Sequence, residues 1–470
     1  MLLAFIPLYI SLNLVIGFWA SKKVKTTADF TLAGKSLSTA FVGVTLFATW
    51  FGASQVMGNP SYFVADGFSS FVTLTLSSGI CLIIIAYFYA KKLYNLNLVT
   101  IGDFFQKRYS KKMDTTISLL LILSYPPWIA AQFLALAFLF QSIFGLPVFY
   151  GVFLGAGIVI LYTYIGGMWA VSYTDMLQSI LIIIGLLFLL YSILNETGGI
   201  APIFENKPES FYSFFPINNL ENWSEYLATF LALSIGAIPA QEIYQRIFSA
   251  KSSKAGISGL YLGAFLMILI PSIPMIIGLG AAHLHPELME INEGQNIIPM
   301  MVSQFSNTAI KILFFGALIS AILSTSSGAM LAPATIIGEN LVKPNFPKIS
   351  DKKLLLMTRI SVLIVAAISC LFAFKDSSIV NLVVISLSLI MVCIFAPFTF
   401  GLFWKKSSIF GAWAAIIFGA FTFGLTFILG TVVDPTIYGL IASCIAMLLG
   451  SLYRPEKKIH PIYTQMRLNS

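Results

Sequence analysis

The sequence predicts an all-α polytopic membrane protein with about thirteen transmembrane helices. Apolar residues make up 58% of the 470 positions and charged residues only 10%, whereas soluble domains carry about a quarter charged residues. Apolar stretches of about 20 residues, each long enough to cross a bilayer as a helix, recur along the whole chain. Basic residues are concentrated in alternate loops between these stretches. A lipid bilayer is therefore the solvent that fits this composition.

The apolar stretches follow one another with short connections, which leaves no room for a separate soluble domain. The first stretch has neither a basic segment before it nor a small-residue cleavage site after it, so we expect a retained helix and not a signal peptide. In order, the predicted spans are 3–20, 38–57, 68–90, 115–144, 148–165, 174–195, 225–246, 254–283, 308–338, 354–374, 378–403, 408–430 and 435–453.

The distribution of basic residues predicts the topology. Of the 27 Lys and Arg residues, all but Lys207, Lys311 and Lys375 fall in alternate loops or in the C-terminal tail. Cytoplasmic loops carry the excess of Lys and Arg, and an odd number of spans puts the termini on opposite sides. We therefore expect a multi-pass protein of the inner or plasma membrane, with its N-terminus outside and its C-terminus in the cytoplasm. The net charge of +8 then reflects topology and does not indicate nucleic acid.

Two spans are interrupted by small and polar residues where a lipid-facing helix would be most apolar. The second span reads FATWFGASQVMGNP over 47–60, and the seventh reads SIGAIPAQE over 234–242. Unwound backbone at this depth is tolerated where it lines a cavity or binds an ion. Because the two spans are five apart, they match the first helices of two five-helix inverted halves. Gly and Pro that merely kink packed helices are the alternative.

The ninth span contains a run of hydroxyl side chains that ends at Gly328. Ser324 and Thr325, with the carbonyl of Ala321 one turn earlier, offer the oxygen ligands that a hard monovalent cation prefers. The alternative is that these hydroxyls bond to their own helix or pack against a neighbour.

Three further side chains are unusual for their depth. Apart from two acids at first turns, Glu242 is the only acid within a predicted span, and a buried ionisable residue is a functional candidate. Arg246 lies four residues later, so we favour a helix-end ion pair for Glu242. Trp50 and Trp128 lie in mid-span, where their rings either hold a ligand cation or fill space.

Several segments resemble the sodium:solute symporter family, and the stretch from Gly-Gly to Asp-x-x-Gln is the most specific of them. The segments are ADFTLAGKSL at 28–37, ATWFG at 48–52, YTYIGGMWAVSYTDMLQ at 162–178, PAQEIYQR at 239–246 and AILSTSS at 321–327. The resemblance implies a 5+5 inverted-repeat (LeuT-like) core with one helix before it and two after. The single domain then divides into an extra helix and loop at 1–37, the core at 38–403, two helices at 404–453 and a cytoplasmic tail at 454–470.

The resemblance also implies the ligands of the transported ion. By position, the carbonyls of Ala48, Phe51 and Ala321 and the hydroxyls of Ser324 and Thr325 would bind one sodium ion. Asp175 and Ser327 match a second sodium site of some members, although Gly328 stands where a further serine would be needed.

Within the family, the segments around 48–50 and 166–175 resemble the high-affinity choline transporter branch. Trp50 and Trp128 match two walls of that branch's aromatic cage, whereas Ala240 and Gly79 stand where two further aromatic residues are expected. The candidate substrate contacts are Trp50, Gln55, Trp128, Gln132, Ala240 and Gln241.

We therefore predict a secondary active transporter that carries a small organic solute with sodium by alternating access, as a monomer in the lipid bilayer. The solute is expected to be a quaternary amine or another small polar metabolite. Proton-coupled symport, with Glu242 as the carrier, is one alternative, and a solute sensor without sustained flux is another. An enzyme is not expected, because the histidines His283, His285 and His460 have no metal spacing and no nucleophile beside them.

Overall fold

The computed structural model describes residues 2–216, 219–290, 294–374, 378–456 and 462. Within these ranges the chain is almost entirely helical, and the one isolated backbone bridge joins Leu37 to Ala250. The predicted all-α class is confirmed. Of the predicted tail at 454–470, only residues 454–456 and 462 belong to the described residues.

A helix is present at every predicted apolar stretch. The main helices are α1 (Leu2–Ser21), α2 (Thr39–Trp50), α3 (Ser54–Asp66), α4 (Phe68–Tyr94), α5 (Lys111–Phe144), α6 (Val148–Glu196), α7 (Leu220–Leu231), α8 (Gln241–Phe248), α9 (Ser253–Leu284), α10 (Thr308–Asn345), α11 (Asp351–Ala373), α12 (Ile379–Phe403), α13 (Ile409–Leu429) and α14 (Pro435–Tyr453). Short helices lie in the connections at Thr27–Leu32, Ile101–Arg108 and Ile297–Phe305.

The number of membrane spans is smaller than predicted when length and hydropathy are applied strictly. In the described part of the chain, 10 helices are long and apolar enough to cross a membrane, and the bent pair α2 and α3 makes an eleventh span. The apolar helices Pro7–Ala20 and Val148–Leu161 are shorter. The count of thirteen, which includes these two, stays a prediction.

The predicted fifth and sixth spans are two helices within α6 that meet at a kink at Gly167 (φ 53°, ψ −157°). The connection expected over about eight residues is shorter than predicted, because the chain reverses its helical path at this one residue. A left-handed φ favours glycine. A Cβ on Gly167 would also lie 2.5 Å from a ring atom of Phe30, so the kink and the close approach of the Thr27–Leu32 helix both require glycine.

Local sequence accounts for several helix ends. Ser38, Ser110 and Ser408 each accept a hydrogen bond at the start of α2, α5 and α13, respectively, from a backbone N–H three residues later. Gly430 adopts a left-handed conformation (φ 62°) and ends α13. These caps satisfy backbone groups that would otherwise be unpaired near the membrane boundary.

Two long helices form the centre of the bundle. Every residue of α10 from Phe314 to Ile336 is buried, as is every residue of α5 from Ser124 to Phe140. A helix that is buried on all sides lies inside a large bundle. By contrast, α13 and α14 pack on each other and expose large apolar side chains such as Phe421 and Ile428, as expected for lipid contact. The polar runs of the sequence therefore lie inside the bundle.

The loops that carry the basic residues meet on one face of the bundle. The backbone N–H of Thr27 donates to Asp351 Oδ2 at 2.9 Å, and that of Leu37 donates to the carbonyl of Ser249 at 2.9 Å. Arg108 donates to the carbonyl of Ser407 at 2.6 Å. The position of these loops on one face agrees with the alternation of basic and non-basic loops along the sequence. Arg246 is an exception, because it was counted with a loop but is fully buried within α8.

Candidate transport site at the broken helix

The second span is broken as the sequence predicted. Helix α2 ends at Trp50, α3 begins at Ser54, and the two helices are bent by 61°. Phe51 has a non-helical conformation (φ −84°, ψ 75°). The free backbone N–H of Ala53 is satisfied by Gln132 Oε1 of α5 at 3.0 Å. The break is thus supported by a side chain of a neighbouring helix, as required for unwound backbone inside a bundle.

The break contacts the hydroxyl-bearing helix α10. Thr325 Oγ1 donates to the carbonyl of Ala48 at 3.2 Å, which places two of the predicted sodium ligands in direct contact. A Cβ on Gly52 would lie 2.5 Å from Thr325 Oγ1 and 2.7 Å from Gln132 Oε1. Glycine at this position therefore permits the close approach of α2 to α10. Phe51, a third predicted ligand, lies within the break itself.

The hydroxyl run of α10 divides into two groups. Ser326 and Ser327 donate to carbonyls of their own helix, as the alternative interpretation supposed. Ser324 donates instead to Asp175 Oδ1 of α6 at 2.6 Å, and Thr325 bonds to α2. Ala321, one turn earlier on α10, is fully buried. The two hydroxyls assigned to sodium are therefore those that leave their own helix.

The residues of the second sodium candidate lie beside the first. Asp175 is fully buried, and its Oδ2 has no hydrogen-bond partner among the described residues. Ser327 donates to the carbonyl of Ser324 at 2.9 Å. A Cβ on Gly328 would lie 2.6 Å from Arg246 Nη2, so a guanidinium occupies the space that a serine at this position would need.

The other side of the break contacts an acid. Trp50 Nε1 donates to Glu242 Oε1 at 3.1 Å, and the Tyr125 hydroxyl donates to Glu242 Oε2. The expected ion pair between Glu242 and Arg246 is wrong, because Arg246 Nη1 donates to the main-chain carbonyl of Glu242 at 2.9 Å. No Lys, Arg or His nitrogen of the described residues lies within 4.0 Å of the Glu242 carboxylate. Contacts with α2 and α5 therefore determine the environment of the Glu242 carboxyl group, and the i, i+4 spacing to Arg246 does not.

One tryptophan and one tyrosine bond to this acid, and a second tryptophan stacks on the tyrosine. The rings of Tyr125 and Trp128 are stacked with centroids 6.2 Å apart. Trp50 and Trp128 retain 9% and 7% exposure, whereas Tyr125 and Glu242 retain 1% each. The sequence analysis did not single out Tyr125. Its position three residues before Trp128 and next to Pro126 was the available signal.

The seventh span is also interrupted, as predicted. Beyond α7 the chain passes through a π-helical turn at Ala232–Gly236 and reaches an extended Ala240 (φ −67°, ψ 127°) before α8 begins. The Tyr125 hydroxyl accepts a hydrogen bond from the backbone N–H of Gln241 at 3.0 Å. This contact ties the start of α8 to α5, beside the break in the second span.

The remaining candidate substrate contacts have different roles. Gln132 supports the break, and Gln55 Oε1 accepts from Asn59 Nδ2 at 2.8 Å within α3. Gln241 Oε1 accepts from the backbone N–H of Ile101 at 2.7 Å, and its Nε2 donates to the carbonyl of Val99 at 3.3 Å. Since both ends of the Gln241 amide bind a loop on the basic face, we do not retain it as a substrate contact.

Neither of the two positions at which the resemblance leads us to expect an aromatic residue, 79 and 240, carries one. A Cβ on Gly79 would lie 2.3 Å from Ile268 of α9, so an aromatic side chain has no space there. Ala240 is buried within the interrupted segment and brings no polar group. Near the acid, aromatic surface is provided by Trp50 and Tyr125, which bond to it, and by Trp128, which stacks on Tyr125.

A cleft of about 430 Å³ opens on the face opposite the basic loops. Its wall includes three acids, Asp66, Glu225 and Asp434, together with Tyr62 and Tyr226. Clefts lined by charges of one sign raise the local concentration of the opposite charge. This cleft therefore attracts cations.

Comparison with known proteins agrees with this geometry. Residues 30–419 match the family model described as Sodium:solute symporter family, and the chain belongs to that family. It is therefore a sodium-coupled transporter of a small solute and not an enzyme.

Individual relatives carry different solutes. The chain is 26% identical over 442 residues to the high affinity choline transporter 1 of Homo sapiens, covering 89% of this chain and 75% of the relative. It is 26% identical over 482 residues to the osmoregulated proline transporter OpuE of Bacillus subtilis, covering 98% and 96%. A solved structure of a Na⁺-coupled sialic acid symporter in an outward-open state matches with a TM-score of 0.85 at 20% identity, covering 97% of this chain and 99% of that one. This last likeness shows the LeuT-like fold.

Proposed function

We propose that this protein moves a small organic solute inward by alternating access and that sodium binds between α2 and α10. The observation that carries the proposal is the contact of Thr325 Oγ1 with the carbonyl of Ala48 at 3.2 Å, beside the break at Trp50. Sodium inserted between these two oxygens would be held by both helices. The ion then links the moving break to the central helix.

The chemistry of the donor set fits sodium. The proposed ligands are the carbonyl oxygens of Ala48, Phe51 and Ala321 and the hydroxyl oxygens of Ser324 and Thr325. All are neutral oxygens, which suit a small, hard cation, and none is a sulfur or nitrogen donor. The carboxyl group of Asp175 lies one hydrogen bond away through Ser324, and in its ionised form it favours a cation at this position.

A second sodium ion at Asp175 and Ser327 is the finer part of the prediction. The unpartnered Oδ2 of Asp175 supports it. The guanidinium of Arg246 opposes it, because this group already brings a positive charge beside Gly328. We therefore expect one sodium ion for each solute, with Asp175 orienting Ser324. The sodium dependence of uptake tests this expectation.

We further propose that the face with the basic loops is cytoplasmic, so that the N-terminus lies outside. The shared face of those loops supports this orientation through the positive-inside rule. Sodium entering along a membrane potential supplies about 2.3 kcal/mol per charge per 100 mV. Cysteines placed at Glu205 and Lys406 test the orientation, because an impermeant thiol reagent should label the first and not the second in intact cells.

Hydrogen bonds that close the basic face support alternating access. Gln241 holds the loop at 99–101, Gln245 Nε2 donates to the carbonyl of Thr31 at 2.8 Å, and Leu37 is bonded to Ser249 at 2.9 Å. All three bonds join α8 or the segment just after it to a loop of this face. Release of sodium and solute to the cytoplasm requires these bonds to break.

The decisive experiment is uptake by purified protein in proteoliposomes with an inward sodium gradient, compared with an equal potassium gradient at the same pH. Sodium-dependent accumulation supports the proposal. Equal uptake under both gradients refutes it.

Proton coupling is the second candidate, and one observation favours it. Glu242 is buried and has no ion-pair partner among the described residues, so it is a candidate proton carrier. A proton gradient imposed without sodium separates the two candidates. Uptake driven by protons alone would support the second, and uptake that requires sodium at every pH would support the first.

A further inference from the structure

We propose that an anionic phospholipid binds between the ends of α4, α12 and α14, on the face with the basic loops. An apolar groove of about 450 Å³ opens there between α12 and α14. The residues that line it are Thr399, Phe400, Phe403, Trp404, Leu448 and Leu452. The groove lies apart from the broken helix, so the proposal does not depend on the transported ion or solute.

The lining of the groove suits a hydrocarbon chain. Leu448 and Leu452 are four residues apart and therefore share one face of α14, and both are exposed. The one hydroxyl group of the lining, that of Thr399, shares a hydrogen bond of 3.0 Å with the Tyr89 hydroxyl and is thus already satisfied. An occupant meets mainly apolar and aromatic surface, which an acyl chain of a lipid can cover.

The groove ends where a lipid headgroup would lie. Helix α12 ends at Phe403, and Trp404 follows it directly. Tryptophan is enriched at the membrane–water interface, where its amphipathic ring lies at the level of the headgroups. The next residues, Lys405 and Lys406, form an exposed turn. The groove therefore runs from apolar surface to a pair of positive charges.

A third positive charge lies against the wall of the groove. Lys92, near the end of α4, places its Nζ 3.9 Å from the centroid of the Phe403 ring. The same ring packs edge-on against Tyr89, with centroids 5.0 Å apart, which joins α4 to α12. A cation over a ring face is attracted by the π-system, so the ammonium group of Lys92 is held beside the groove.

No carboxylate of the described residues forms an ion pair with these lysines. None lies within 4.0 Å of the side-chain nitrogens of Lys92, Lys405 or Lys406. Glu456, just beyond α14, lies instead 3.9 Å from Arg108 Nη1. Basic groups beside a groove between membrane helices are complementary to a lipid phosphate. A headgroup with a net negative charge satisfies them, whereas a zwitterionic headgroup brings a positive charge of its own.

The experiment measures lipid binding to the detergent-purified full chain by native mass spectrometry. The probes are phosphatidylglycerol and phosphatidylcholine with identical acyl chains, and glycerol 3-phosphate, which presents a phosphate without chains. We expect phosphatidylglycerol to bind at least about tenfold more tightly than phosphatidylcholine and to resist displacement by glycerol 3-phosphate. Neither sodium nor solute is added, so a failure here leaves the proposed function untouched.

Lysine variants test the headgroup contacts. Lys405→Gln with Lys406→Gln should weaken phosphatidylglycerol binding by about 20-fold and Lys92→Gln by about fivefold, because each lysine near an anionic lipid contributes about fivefold. The matched control is Lys352→Gln with Lys353→Gln, which removes two exposed lysines of another loop on the same face. It should change the affinity by less than about twofold.

A tryptophan placed in the groove tests the acyl-chain contact. Leu448→Trp fills the space between α12 and α14 and should lower the affinity for phosphatidylglycerol by about tenfold. Leu449→Trp is the control, because this neighbouring residue of α14 is equally exposed to lipid but does not line the groove. An unchanged melting temperature in lipid-free detergent verifies that each variant is folded.

Four results would each overturn the proposal. Equal affinities for phosphatidylglycerol and phosphatidylcholine would show that the headgroup charge is not recognised. Equal losses in the Lys405/Lys406 and Lys352/Lys353 variants would show that the whole basic face attracts lipid without a site. Displacement of the lipid by glycerol 3-phosphate would indicate a site for soluble anions. A dimer that dissociates in Leu448→Trp, with lipid affinity unchanged, would assign the groove to a second copy of the chain.

Discussion

The two sides of the broken helix differ in how they handle charge. Toward α10, the break offers neutral oxygens of the backbone and of two hydroxyls, and the nearest acid acts through Ser324. Toward α5 and α8, it offers one carboxyl group, Glu242, held by an indole and a phenol. The first side is compact enough that Gly52 cannot carry a Cβ without a shift of its neighbours. The second side is lined by large rings.

Under the proposed assignment, the difference corresponds to the size of the species that each side would bind. A small ion needs several short oxygen contacts, which unwound backbone and hydroxyls provide without burying another charge. A larger organic solute cannot be surrounded by oxygens in this way. Sites for small organic molecules are usually lined by apolar and aromatic side chains with a few polar groups. In the proposed mechanism one break would serve both, which would couple the two binding events mechanically.

The largest effect is expected on the sodium side. The double substitution Ser324→Ala and Thr325→Ala removes two of five proposed ligands and should raise the sodium concentration for half-maximal uptake by about 30-fold or more. Sodium titration of uptake in proteoliposomes measures it. Ser326→Ala is the matched control, because that hydroxyl bonds to its own helix and should change the value less than about twofold. If Ser326→Ala raised this concentration as much as the double substitution does, Ser324 and Thr325 would not differ from Ser326 in sodium binding.

A change in spacing should have the next largest effect. Gly52→Ala places a Cβ 2.5 Å from Thr325 Oγ1 and should separate α2 from α10, which lowers sodium-driven uptake by about tenfold. Gly157→Ala is the control, since a Cβ there meets nothing within 4 Å. If both variants transport normally, the close approach at Gly52 is not needed for transport.

Asp175→Asn tests whether the carboxyl group behind Ser324 favours sodium binding without contacting the ion. It should raise the sodium concentration for half-maximal uptake about fivefold, because the charge behind Ser324 is lost. Because we expect one sodium ion, the Hill coefficient of sodium activation should be near one in the native protein and should not change. A coefficient near two that falls to one in the variant would establish the second ion instead.

An effect of the same size as that of Asp175→Asn is expected away from the break, at the closed basic face. Gln241→Ala removes two hydrogen bonds to the loop at 99–101 and should favour opening of that face by about fivefold. The labelling rate of a cysteine placed on this loop measures the opening. Gln106→Ala, an exposed residue of the neighbouring short helix, should have no effect. Unchanged labelling in Gln241→Ala would return this residue to consideration as a solute contact.

Much of the site could be predicted from sequence because its signals are local. The breaks at 47–60 and 234–242 are visible as small and polar residues in apolar spans, and both are present in the structure. The hydroxyls Ser324 and Thr325 stand out for the same reason. The environments of Glu242 and Gln241 could not be predicted, because their partners are Trp50, Tyr125 and the loop at 99–101, all distant in sequence.

The sequence by itself determined the membrane class, the helical segments, the two interruptions and the alternation of basic loops. Each follows from hydropathy, charge and backbone chemistry within a short stretch of chain, which act before any tertiary contact forms. Only the tertiary structure decided that Arg246 turns from the Glu242 carboxylate to its backbone and that Thr325 contacts Ala48. In a bundle of buried helices, the partner of a polar group is chosen by which helix lies beside it, because each group must be satisfied inside the protein.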